Sequence, residues 1–163
     1  MPTTKNIVDQ INRIGNEIND ILDKKQTEKY FQSVALLYSF IENILKWLVF
    51  GESLWIRAED RKFSTKDYKT IKEFCKQQNF YTASNLAYDF GLIDLKLYER
   101  ISQARIERNR IIHKFWTYER RGNRAVMRKK LEKLARIASD LVRVFNKLTR
   151  KIGVDEIYDM TLD

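Results

Sequence analysis

Arg108 and His113 are the residues of this chain whose types and spacing could do chemistry together. His113 is the only histidine, and so the only side chain with an ordinary pKa near neutrality. Around it, Leu97, Ile101, Ala104, Ile111 and Phe115 follow one another at spacings of four, three, seven and four, which is a helical stripe with one member replaced. The replacement is Arg108, which lies within about 20° of the stripe's centre on an ideal helix. A guanidinium there must be desolvated, paired or directed into a cleft, and each of these costs free energy.

Asn109 and His113 are four apart and stack on one helical face, with Arg105 one turn earlier and Arg110 and Trp116 beside it. Arg108 and His113 are separated by about 140° around a straight helix. Either the helix kinks near them, or two copies of the chain share a cleft across a two-fold axis. The chemistry such a set suits is cleavage of a ribose-phosphate backbone. A histidine takes the proton of a 2′-hydroxyl, which attacks the adjacent phosphorus, and an imidazolium protonates the departing 5′ oxygen. Guanidinium groups stabilise the charge that develops on the phosphorane. The products are a 2′,3′-cyclic phosphate and a 5′-hydroxyl, and the nucleophile is the substrate's own.

The run Arg108-Asn109-x-x-x-His113, late in a helical chain, resembles the motif of the HEPN superfamily. That resemblance implies an all-α, four- to five-helix, mostly antiparallel bundle that forms a homodimer through the motif-bearing helix. It further implies a metal-independent endoribonuclease of the toxin or defence type, with an antitoxin protein as a possible partner. Arg108 and His113 would be catalytic, and Asn109 would orient the histidine. One position departs from the pattern. Toxins of this family that are paired with a nucleotidyltransferase antitoxin commonly carry a tyrosine two residues after the histidine, where this chain has Phe115. That speaks against neutralisation by that route, and Tyr118 does not inherit the role.

Charge supports an anionic partner. The net charge is +9, but residues 105–151 hold sixteen Lys/Arg against four Asp/Glu, and the rest of the chain is net negative. Arg105, Arg110 and Lys114 are candidates for flanking phosphates. Arg120, Arg121, Arg124 and Arg128, with Lys129, Lys130 and Lys133, form a candidate track for RNA. The same residues would equally decorate a solvated helix, and a non-catalytic adaptor binding RNA or protein, with Arg108 in a structural salt bridge, is the competing reading. Trp116 and Phe115 could stack on a base or complete an interface.

Other chemistries find less support. One cysteine and one histidine cannot build a thiolate or imidazole metal site, no acidic cluster has metal-ligand spacing, and no cofactor motif is present. Cys75, on a helix with Ile71, reads as a buried apolar residue. The N-terminus lacks the form of a signal peptide. The most apolar run, Val34 to Phe50, is broken by Ser39, Glu42, Asn43 and Lys46, which argues against a membrane span and for a cytoplasmic protein.

The elements that must position these groups are helices throughout, forming one domain over residues 1–153 with an acidic tail at 154–163. Periodicity predicts helices at Thr4–Asp23 and Thr27–Phe50, the latter ended by Gly51 and followed by an irregular stretch to Phe63. Ser64 and Asp67 predict a capping box for a third helix, reaching about Gln77. A short helix from Thr82 to Phe90, stopped by Gly91, comes next, then the motif helix, capped by Asp94 and reaching about Tyr118. The last helix, Arg124 to Ile152, places Met127, Leu131, Leu134, Ala138, Leu141, Phe145 and Leu148 at alternating spacings of four and three. That regularity suits an antiparallel bundle seam or a self-association seam.

Overall fold

The computed structural model describes residues 4–58, 64–113 and 124–152. They form six α-helices and one 3₁₀ turn, with no strand among the described residues, so the all-α class holds. The helices are α1 (Thr4–Asp23), α2 (Tyr30–Ala58), α3 (Thr65–Gln77), α4 (Phe80–Asp89), α5 (Leu95–His113) and α6 (Arg124–Ile152), with the 3₁₀ turn at Thr27–Lys29. Residues 114–118 of the expected motif helix, the turn around Gly122, and Gly153 with the acidic tail lie outside the described residues.

Local signals set most of the boundaries. The Ser64 hydroxyl accepts from the Asp67 N–H while the Asp67 carboxylate accepts from the Ser64 N–H, closing the predicted capping box on α3. The Asp94 carboxylate accepts from the Leu97 N–H at 2.7 Å and starts α5. α4 begins two residues earlier than expected, because Asn79 and Thr82 form a second reciprocal cap. It ends where Gly91 takes φ +69°, and the N–H groups of Gly91 and Leu92 reach back to the carbonyls of Tyr88 and Ala87.

α2 departs furthest from expectation. It does not stop at Gly51 but runs on to Ala58, because Gly51, Glu52 and Leu54 are themselves buried in the bundle. Tertiary burial outweighs the roughly 1 kcal/mol that glycine costs inside a helix. By length and composition α2 could also cross a membrane, with a mean hydropathy of 1.4 over its best window. The polar interruptions within it therefore do not exclude a span by themselves. Two-thirds of that window is buried inside the fold, as in a core helix.

The buried stripe of α6 packs along α2, with Ile137 fully buried in addition to the residues the four-three spacing marked. The pairing is parallel, not antiparallel. Leu37 and Phe40 share a cavity wall with Ala135 and Ala138, the Trp47 and Phe145 rings lie 6.3 Å apart, and Glu52 meets Lys151 at 3.0 Å. Alternating apolar spacing defines a stripe but no direction along it. α5 does run antiparallel to α6, since Arg100 pairs with Asp140 and Glu107 with Lys130.

Two consequences can be measured. Lys25 closes α1 in the left-handed region at φ 51°, a conformation that glycine adopts without strain. Lys25→Gly should stabilise the chain by up to about 1 kcal/mol in urea denaturation; a loss of stability would show that the Lys25 side chain makes compensating contacts. Cys75 is fully buried, and burial pushes its thiol from 9.0 up to about 12. The folded chain then holds this proton where the unfolded chain has released it, so the thiol's contribution to stability is complete below pH 9.0 and is lost as pH rises toward 12. At pH 8 the thiol should react with a disulfide reagent only after denaturation.

Candidate functional site

The site is built where α5 crosses α2. α5 buries Leu97, Ile101, Ala104 and Ile111, and Arg108 occupies the remaining place on the same stripe. There the guanidinium donates to the Glu42 carboxylate of α2 at 3.2 Å and lies 6.0 Å from the centre of the Phe80 ring of α4. Of the three outcomes open to a cation on an apolar seam, pairing is realised here, beside a small recess that Arg108 also lines. Glu42 also holds Lys46, one turn further along α2, at 3.1 Å. One carboxylate thus sits between two cations, all three side chains at most a third exposed.

Glu42 and Lys46 were absent from the sequence-derived set, although they carried a signal. They interrupt the apolar run of α2 at a spacing of four, where an aliphatic pair would otherwise continue the core. A single sequence shows that interruption but not which residue of a distant helix completes it.

On its other side Arg108 lines a cavity of about 180 Å³ with Phe31, Val34, Ala35, Tyr38, Ser39 and Ile111. The cluster therefore combines a net positive charge with a small, mostly apolar recess. In chemical terms it can hold an anion against a guanidinium that is already oriented by a carboxylate.

His113 closes the described part of α5 as its last helical residue. The helix assignment runs from Leu95 through the motif to His113. In that register the His113 position lies about 140° around the axis from Arg108. It shares a face with the positions of Ile106, which is 45% exposed, and of the exposed Asn109. Arg108 and the His113 position are thus on one helix but on different faces of it.

The expected phosphate ligands divide. Arg105 is turned onto the Tyr81 ring, 4.7 Å from its centre, and its buried Nε has no hydrogen-bond partner among the described residues. Arg110 is exposed. Arg128 is paired with Glu132 at 2.9 Å, and Lys130 and Lys133 both reach Glu107 at 3.3 Å, so part of the expected track is neutralised locally. Arg124 opens α6. Lys114, Phe115, Trp116, Arg120 and Arg121 lie outside the described residues.

The Glu42 cluster generates a stability prediction with an internal control. Glu42→Gln leaves Lys46 and Arg108 facing each other without their shared anion and should cost about 1–2 kcal/mol, partial exposure of Arg108 keeping the figure low. Arg108→Leu restores an aliphatic residue to the seam while Lys46 still satisfies Glu42, and should change stability by less than about 1 kcal/mol. Urea denaturation of both variants checks the order, and equal losses would dissolve the cluster as a unit.

Compared with known proteins, the chain matches no family model, no curated protein and no solved structure.

Proposed function

We propose that this chain is a metal-independent endoribonuclease with a HEPN-like fold, acting in the cytoplasm as a toxin or defence enzyme. The observation that carries the reading is Arg108, a guanidinium set on an apolar seam, oriented by Glu42 and open to a small recess, on the same continuous helix as the only histidine. In this reading His113 moves the proton of the 2′-hydroxyl, Arg108 stabilises the phosphorane, and Asn109 orients the imidazole. Arg110 and Lys114 hold neighbouring phosphates.

Because the Arg108 and His113 positions lie about 140° apart around a straight helix, the proposed site is shared between two copies. The exposed Ile106, on the face that carries Asn109 and the His113 position, supports docking of a second copy along α5. In that arrangement two imidazoles and two guanidiniums converge on one scissile phosphate.

A second reading is favoured by a specific contact. The Arg108–Glu42 pair is complete within one chain, which is what a structural salt bridge in a helical RNA- or protein-binding adaptor requires. Cleavage separates the two. In excess EDTA, the native protein should cut a mixed single-stranded RNA to cyclic-phosphate ends, and His113→Ala should lower the rate by at least about 100-fold. Equal cleavage by both proteins would remove His113 from the site, and RNA binding without cleavage by either would select the adaptor. Light scattering should show a dimer at micromolar concentration; a monomer that still cleaves would end the shared-site arrangement.

A further inference from the structure

A cationic surface lies apart from the Arg108 recess. Between α5 and α6 runs a groove of about 600 Å³ whose walls carry six cations and two carboxylates. The carboxylates are already engaged. Asp140 takes Arg100 at 2.7 Å and Arg143 at 3.3 Å, and Glu132 takes Arg128 from outside the groove. Lys96, Lys129 and Arg136 are exposed and have no ion-pair partner among the described residues.

The positions explain why these charges act together. Lys129, Arg136 and Arg143 are seven apart on α6 and so stand in one row, about 21 Å from first to last. Lys96 and Arg100 form the facing row on α5, one turn apart. Asp140 fixes two guanidiniums in the groove without cancelling the excess. A small anion needs donors that converge on a point, whereas cations strung along a groove match an extended polyanion.

We propose that this groove binds the phosphodiester backbone of single-stranded RNA, on the flank of the strand rather than at the cleaved bond. The inference rests on RNA as the partner of the Arg108/His113 site and extends it. Arg100 lies thirteen residues before His113, about 20 Å along α5, so only a strand continuing beyond the cleft reaches the groove. The sequence-derived track named Arg120, Arg121, Arg124 and Arg128, with Lys129, Lys130 and Lys133. Of these, Lys129 and Lys133 line the groove, Lys133 held by Glu107, and the groove adds the unpaired Arg136 on α6 and Lys96 across from it on α5.

The test is fluorescence anisotropy of a 5′-labelled twenty-nucleotide oligouridylate titrated with full-length His113→Ala protein over a range of salt. Adding K129Q and R136Q to that protein should weaken binding at least about tenfold and make the dependence of log affinity on log salt shallower by about 1.4, at roughly 0.7 per cation for a single strand. K129R with R136K, which keeps both charges, should bind as the parent does. No binding by the parent, or unchanged affinity and slope in the neutralised protein, overturns the groove.

The nuclease reading is scored separately by cleavage in EDTA with His113 present. Groove-dependent binding without cleavage keeps the groove and removes the nuclease. Cleavage together with groove-independent binding does the reverse.

Discussion

A guanidinium on an apolar helical seam cannot be left in the core unpaired, and the α2–α5 contact is arranged around that constraint. Arg108 meets Glu42, and Glu42 is held from its own helix by Lys46. Sliding α5 by a turn would leave the partly buried Arg108 without its carboxylate, while Glu42 would keep Lys46. The pair thus favours one register for α5, whose backbone packs mainly on α4 and α6. Its outward face takes Ile106, Asn109 and the His113 position, and its third face turns Lys96 and Arg100 toward α6.

Much of this was legible in the sequence because it rests on local rules. The α6 stripe, the limits of α1 and α6, the Ser64–Asp67 box, the Asp94 cap and the burial of Cys75 each depend on residues within a few positions of one another. What was illegible depends on partners far along the chain. Gly51 reads as a stop until Glu52 and Leu54 are seen to be buried beyond it. The α6 stripe reads as an antiparallel bundle seam or a self-association seam until Trp47 is found beside Phe145 in a parallel pairing. Lys130 and Lys133 read as a track for RNA until Glu107 is found between them.

The candidate site divides along the same line. Arg108 was identified by where it breaks a periodic pattern, which one sequence displays. Glu42 and Lys46 break the pattern of α2 in the same way, yet the bond from Glu42 to Arg108 spans 66 residues. Net charge misleads for a related reason. The basic excess of residues 105–151 is a sum, whereas an anion responds to the charges that Glu107, Glu132 and Asp140 leave free.

The carboxylates of α2 bear on direction rather than on local charge. Along this otherwise apolar helix, Glu42 takes a cation from α5 and Glu52 takes Lys151 from α6, whose ammonium also lies 5.4 Å from the centre of the Trp55 ring. Apolar stripes alone would let α6 lie either way along α2. With α6 reversed, Lys151 would sit near the start of α2, and Glu52, now 8% exposed, would be buried without its cation. Such pairs add little net stability against apolar residues of similar size, but they penalise the wrong arrangement strongly. The Glu52–Lys151 pair is satisfied only in the observed direction of α6, and α5, packed on α4 and α6, then places Arg100 and Lys96 opposite Arg136 and Arg143. The cationic groove depends on that direction, which an apolar stripe alone does not specify.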